Sequence, residues 1–180
     1  MFLHGGPSIQ ECLLHMLNDV LRTGVIPTNW YETHFSLLHK GGCTEDANNW
    51  RPIAILSITY KIMARLIFGR LELGLELHQS EDQYGFRKHR SCMQALLAFE
   101  LVLSKGIEYN IPIWIVSIDL KKAFDRIEHA ALFHALSEQH CDPELIALLQ
   151  MLYKNQKGFV GDIEFFINRG VRQGDILSPI

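Results

Sequence analysis

Asp119 closes the run Ile113-Trp-Ile-Val-Ser-Ile118, and Lys121, Lys122 and Asp125 follow within six positions. If that run is a β-strand, it delivers a carboxylate at its C-terminal end, where side chains leave the packed sheet and reach solvent. A carboxylate so placed suits Mg²⁺, which takes one or two carboxylates plus substrate phosphates. The plainer reading of the same residue is a cap on the helix that follows. For Asp125, a helix cap or a salt bridge to Arg126 or Arg90 is a better reading than metal ligation.

Three further groups could carry chemistry. Gly85-Phe86-Arg87-Lys88-His89-Arg90-Ser91 puts three fixed positive charges within four residues, just ahead of a helix start. Arginine and a helix N-terminus both favour phosphate oxygens, and an aromatic ring among cations suits stacking on bases. Alone, the run reads as a solvated charged loop. Trp50-Arg51-Pro52, preceded by Lys40 and Gly41-Gly42, is either a loop whose cations fold over a polyphosphate or an ordinary hairpin. Arg169-Gly-Val-Arg-Gln173-Gly174-Asp-Ile-Leu-Ser-Pro179 sets glycines around a basic residue and a glutamine. Glycine lets a backbone approach a ligand closely, and glutamine offers both donor and acceptor. The bland alternative is a turn between a strand and a helix.

Mixed α and β elements must position these groups. Ser8–Glu11 has capping-box spacing, and Leu13, Met16, Leu17, Val20 and Leu21 recur at helical intervals as far as Gly24. Thr33–His39 reads as a strand, and an apolar run at Ile53–Leu56 follows the 41–49 loop. A helix is expected from a Ser57 cap, its far end weakened by Gly69 and Gly74. Ser91–Gln94 opens another helix with a second capping box. Ile113–Ile118, apolar on both faces except at Ser117, predicts a strand inside a sheet covered on both sides. A helix over roughly Asp125–Gln139 follows. Asp142-Pro143 then starts a helix to about Tyr153, and Gly158–Asn168 predicts a strand or hairpin.

Composition sets the outer limits. The chain has 180 residues, 48% of them hydrophobic and 21% charged, with a net charge of −3. These values exclude disorder and collagen-like structure, and they exclude a protein held on nucleic acid by bulk charge. Residues 83–126 are nonetheless locally basic, with seven Lys/Arg against four Asp/Glu. Cys12, Cys43, Cys92 and Cys141 form no CxxC pair, and His134, His140 and Cys141 have no metal-ligand spacing. The N-terminus lacks the basic start and cleavage site of a signal peptide. No apolar run approaches the ~18 residues of a membrane span. The expectation is an intracellular protein of nucleus or cytoplasm, not secreted and without a membrane partner.

The order of the motifs is more specific than any one of them. Trp50-Arg51-Pro52-Ile53, Gln83-x-Gly85-Phe86-Arg87-x-x-Arg90-Ser91, Asp119-Leu-Lys-Lys-Ala-Phe124-Asp125 and Gly170-x-x-Gln173-Gly174-Asp-x-Leu177-Ser178-Pro179 strongly resemble successive motifs of reverse transcriptases. The resemblance is closest to non-LTR retrotransposons of the LINE type, and it covers nearly the whole chain. It implies an α+β right-hand polymerase fold, here the fingers (about 1–110) and the start of the palm (about 111–180).

By that resemblance Asp119 is a catalytic metal-binding aspartate, and the Leu120 carbonyl binds the same ion. Phe124 is the steric gate under the incoming sugar. Lys40 and Arg51 meet the triphosphate, and Gln173 and Gly174 touch the incoming nucleotide. Gly85, Phe86, Arg87 and Arg90 support the template path. The implied cofactor is Mg²⁺, two ions in the complete domain, with Mn²⁺ as its alternative. The implied partners are an RNA template, a DNA primer and a deoxynucleoside triphosphate. The Tyr-x-Asp-Asp hairpin that follows the Ser-Pro motif in that family is not among these residues, so this chain alone is expected to be inactive. The other reading is a non-catalytic remnant that binds nucleic acid or protein.

Overall fold

The computed structural model describes residues 6–179, apart from the Leu73 side chain. The first five residues, part of the stretch read above for a leader, lie outside them. Helix α1 spans Gly6–Thr23. Strands β1 (Glu32–His39) and β2 (Trp50–Ile55) form an antiparallel hairpin, and α2 runs Ile58–Glu76. Helices α3 (Cys92–Glu108), α4 (Ala123–Arg126), α5 (His129–Glu138) and α6 (Pro143–Tyr153) follow, and strands β3 (Lys157–Val160) and β4 (Ile163–Phe166) close the order.

The sheet is mixed and four-stranded, ordered β2-β1-β3-β4, with β1 and β3 parallel. One core joins α1, α2, α5 and α6 to it. Trp30, Tyr60, Met63, Ile67 and Leu152 are its most deeply buried large apolar side chains. Trp30 meets Tyr60 edge-on, 6.0 Å between ring centres, and its indole N–H donates to Thr59 Oγ1 at 2.8 Å. A buried indole needs such a partner, because an unpaired donor keeps its desolvation cost.

Local chemistry explains most element boundaries. The capping box at Ser91 is complete: Ser91 Oγ accepts from the Gln94 amide, and Gln94 Oε1 accepts from the Ser91 amide. Asp142 caps α6 by accepting from the Glu144 amide at 2.9 Å, with Pro143 in the first turn. Ser8 lies inside α1, not at its cap, because the helix already includes Gly6 and Pro7; proline is tolerated in a first turn, where its missing N–H has no partner to lose. Ser57 precedes α2 but its hydroxyl pairs with Thr59 Oγ1 instead of capping. Gly69 and Gly74 do not end α2, whose buried side lies on Leu71 and Leu75. The expected helix over Asp125–Gln139 is two helices, α4 and α5, parted at Ile127-Glu128, where the backbone is extended.

The largest correction concerns Ile113–Ile118. These residues form no strand; 111–120 is irregular, and Trp114 is 93% exposed. A strand apolar on both faces needs neighbours on both edges and cover on both sides. Among the described strands β1 and β3 already have two neighbours each, and the outer side of β2 is met by the 170s loop, where the Ala54 amide donates to the Gln173 carbonyl at 2.8 Å. Only the outer side of the exposed strand β4 is open, and a strand added there would have a single neighbour and no cover.

Candidate nucleotide and metal site

The β1–β2 hairpin presents two cations at one end. The Lys40 amide donates to the Asn49 carbonyl at 2.8 Å, closing the loop just after β1. Arg51 sits one position into β2, opposite Leu38. Trp50 braces the same loop through its indole N–H, which donates to the Thr44 carbonyl at 2.9 Å. Lys40 and Arg51 therefore leave the hairpin on the same side, and both line a cavity of about 1200 Å³.

The turn carrying Asp119 to Asp125 forms the facing wall. Asp119, Leu120, Lys121, Lys122, Phe124 and Asp125 all line the cavity. Lys122 is left-handed (φ 54°) and turns the chain into α4. The 170s loop then docks on this turn. The Gly170 amide donates to the Ile127 carbonyl and the Val171 amide to the Phe124 carbonyl, both at 2.7 Å. Gly170 has φ +83°, and a Cβ there would lie 2.9 Å from the backbone oxygens of Phe124 and Asp125. Only glycine permits that approach. Gln173 and Gly174 thereby reach the same cavity.

Phe86 joins from the other basic group. It is exposed, has φ 60°, and meets Phe124 edge-on with 6.5 Å between centres. Its neighbours do not line the cavity. The Arg87 side chain is only 8% exposed; it donates twice to Glu76 Oε1 and once to the Ser80 carbonyl. This contact holds the Glu76 carboxyl below the usual carboxylate range, hydrogen bonding contributing most. Lys88 pairs with Glu72 at 2.6 Å. Arg90 lies over the Tyr84 ring at 5.6 Å, and Gly85 accepts from the Gln83 side chain. The basic run is therefore largely a fastening of its own loop to α2.

Lys40, Arg51, Lys121 and Lys122 line the cavity together with Asp119, Asp125 and Asp175. Among the described residues, Lys40, Arg51, Lys121 and Lys122 form no ion pair. Asp46, on the hairpin loop, has its carboxyl held low by the Asn48 backbone and side-chain N–H groups, with Lys122 and Lys121 adding smaller effects. Asp125 pairs with neither Arg126 nor Arg90; it accepts from Gln173 Nε2 at 3.2 Å.

The donor set can be tested against Mg²⁺. Asp119 is exposed on the cavity wall. Asp125 is engaged by Gln173, and among the described residues no three His, Cys, Asp or Glu side chains gather as a metal group. That set fits one Mg²⁺ held by Asp119 and the Leu120 carbonyl together with substrate phosphates, since Mg²⁺ commonly takes few protein ligands. It does not by itself fit a centre of two ions.

Sequence reasoning missed the support for this site. Tyr60, Arg172 and Asp175 are buried together behind Gln173. The only available signal was the Arg–Asp pair three positions apart around Gln173-Gly174.

The cavity thus gathers four cations, Asp119, Asp125 and Asp175, the Phe124 ring and the Gln173 loop. The sequence profile of the reverse transcriptase (RNA-dependent DNA polymerase) family matches residues 38–180. The chain is 30% identical over 92% of its length to the Retrovirus-related Pol polyprotein from type-1 retrotransposable element R2 of Popillia japonica, and 28% over 96% to that of Nasonia vitripennis. It is 29% identical over 91% of its length to the Transposon TX1 uncharacterized 149 kDa protein of Xenopus laevis. The chain spans 23%, 17% and 13% of those proteins. It belongs to the reverse transcriptase family, and these relatives are proteins of non-LTR retrotransposons.

Among the described residues no helix is long and apolar enough to cross a membrane.

Proposed function

We propose that this chain is the fingers and the start of the palm of an RNA-directed DNA polymerase, and that its large cavity receives a deoxynucleoside triphosphate. The observation that carries the reading is the convergence of Lys40, Arg51, Asp119, Phe124, Gln173 and Gly174, from three separate stretches of sequence, on one cavity.

In the reaction a primer 3′-hydroxyl attacks the α-phosphorus and pyrophosphate leaves. Arg51 and Lys40 neutralise charge that grows on the phosphate oxygens, a role most effective when the cations are already in place. The Phe124 ring lies under the sugar and excludes a 2′-hydroxyl. Gln173 and Gly174 bound the base side of the nucleotide. Gly85, Phe86, Arg87 and Arg90 form the template side, Phe86 as a stacking surface and Arg87 by fixing the loop. Asp119 and the Leu120 carbonyl would hold Mg²⁺ (or Mn²⁺), which stabilises the attacking and leaving oxygens when bound. With one such carboxylate in this chain, a second ion needs ligands from elsewhere, and the chain alone does not extend a primer.

A nucleic-acid-binding remnant without catalysis finds less support, because Arg87 and Lys88 are committed to Glu76 and Glu72. Backbone affinity grows with the number of phosphates neutralised, and these cations are already neutralised.

Calorimetric titration of dTTP and Mg²⁺ into the chain tests the reading. Binding is expected, weakened in Arg51→Ala. Absence of binding, or indifference to Arg51→Ala, overturns the nucleotide site. Primer extension that disappears in Asp119→Ala overturns the expected inactivity.

A further inference from the structure

Arg172 and Asp175 flank Gln173-Gly174 in sequence, and both are buried, 2% and 4% exposed. The residues between them are half-buried and exposed. The loop thus turns the Arg172 and Asp175 side chains inward and leaves Gln173 and the Gly174 backbone on the outer side. Inside, Arg172 Nη2 donates to Asp175 Oδ2 at 3.0 Å and to the Tyr60 hydroxyl. The Tyr60 hydroxyl donates to the same Asp175 oxygen at 2.5 Å. The guanidinium also lies 4.4 Å from the Tyr60 ring centre, and its Nη1 reaches Thr33 Oγ1 at 3.4 Å. Ser178 Oγ donates to the Arg172 carbonyl at 2.7 Å, closing the loop on itself.

A buried ion pair contributes little net stability compared with apolar residues of similar volume. What this one supplies is geometry. It ties both ends of Gln173-Gly174 to α2, through Tyr60, and to β1, through Thr33. The Gln173 carbonyl accepts from Ala54 on β2, the strand that carries Arg51.

We infer that Tyr60, Arg172 and Asp175 are positioning residues that hold Gln173 in register with Arg51 before any nucleotide arrives. The inference rests on the nucleotide reading of the cavity and extends it to groups that never touch the ligand. Removing the Tyr60 hydroxyl leaves the ring packed but loosens Asp175, and the loop then samples orientations in which Gln173 leaves the cavity. The affinity of a site that is competent only part of the time falls by that fraction.

The test titrates dTTP and Mg²⁺ into the full chain as wild type, Gln173→Ala, Tyr60→Phe, Asp175→Asn and the double variant Tyr60→Phe/Gln173→Ala. Tyr60→Phe and Asp175→Asn are each expected to weaken binding roughly three- to tenfold, the worth of one hydrogen bond. The double variant is expected to bind no more weakly than Gln173→Ala, because the clamp acts through Gln173; independent contributions would add. Single variants with unchanged affinity and a lowered melting temperature, or an additive double variant, overturn the clamp while leaving the nucleotide site standing. A wild type that takes up no dTTP overturns the site and the clamp together.

Hydrogen–deuterium exchange on the unliganded wild type needs no variant. Slow exchange at the Asp175 and Leu177 amides, which donate to the Arg172 carbonyl and to Asp175 Oδ1, supports a preformed loop, and fast exchange there that slows only on adding dTTP overturns it.

Discussion

The Gln173 side-chain amide donates to the Asp125 carboxylate at 3.2 Å, across 48 positions of sequence. It ties the 170s loop to the turn that carries Asp119 and Phe124, already joined through Gly170 and Val171 backbone bonds. One side-chain and two backbone hydrogen bonds therefore join the 170s loop to the stretch from Phe124 to Ile127.

That bond sets the first expectation. Asp125→Ala releases the Gln173 amide without touching the ligand phosphates. It should weaken dTTP binding about threefold and cost about 0.5–1.5 kcal/mol in stability. Titration and urea unfolding measure the two effects. An affinity equal to wild type would mean that Gln173 needs no orienting partner.

Gly170 offers a sharper perturbation of the same joint. Alanine there must hold a left-handed backbone at φ +83° and place Cβ 2.9 Å from two backbone oxygens. The expected loss is roughly 2–4 kcal/mol, from the left-handed penalty plus overpacking. Gly69→Ala is the control: Gly69 lies within α2 and a Cβ there meets nothing within 4 Å. It should gain about 0.5–1 kcal/mol. Chemical unfolding of the pair checks both signs.

These cases show where the sequence was legible. Ser91–Gln94 and Asp142-Pro143 could be read because capping is settled within four residues. The motif order located the cavity wall, since Lys40, Arg51, Asp119, Phe124 and Gln173 do share one cavity. Ile113–Ile118 misled because an apolar run reports only a preference for burial; whether neighbours exist to supply it is tertiary information. From sequence Arg87 reads as part of a solvated charged loop, and Arg172 as part of a glycine-flanked turn. Their burial depends on Glu76, eleven positions away, and on Tyr60, 112 positions away, and no local pattern encodes that.

Burial pushes the Tyr153 hydroxyl up to about 12, with Asp175 adding and Arg172 opposing. Burial likewise drives Tyr60 well above its ordinary range, Arg172 being the main opposing influence. A raised value means the folded state keeps protons that the unfolded chain gives up. Stability is therefore full below about pH 10, where unfolded tyrosines begin to ionise, and falls as pH rises through 12. Tyr153 alone should account for roughly 2–3 kcal/mol of that loss. Urea unfolding across this alkaline range should show the decline, and Tyr153→Phe should flatten it. A profile identical in the variant would remove Tyr153 as a contributor.

Arg87 is expected to act on its loop more than on ligand charge. Arg87→Ala leaves the Ser80 carbonyl without its 2.6 Å partner and frees Glu76. The cost should be about 1–3 kcal/mol, with faster proteolysis between residues 78 and 90. Arg87→Lys should restore little, because a point charge cannot span the carboxylate and the carbonyl as a fork does. Full rescue by lysine would make the charge, not the fork, the operative feature.

Trp114 decides between the two descriptions of residues 113–118. In a strand covered on both faces its indole would be packed, and Trp114→Phe would cost about 1–3 kcal/mol. With the side chain 93% exposed, the same change should fall within about 0.5 kcal/mol. The tryptophans also differ in accessibility: Trp30 is 1% exposed, hydrogen-bonded to Thr59 and enclosed by the core. Acrylamide should therefore quench a Trp114 component of the emission and spare a Trp30 component, and Trp114→Phe should remove most of the quenchable signal. Ile113 lines one open cleft with Leu103 and Ile107 of α3, and exposed apolar patches of that kind bind hydrophobic dyes and promote association. The isolated chain should accordingly enhance the fluorescence of an anilinonaphthalene dye at temperatures where its circular dichroism is still native. A chain that leaves the dye dark and shields Trp114 from acrylamide would return these residues to the sheet interior.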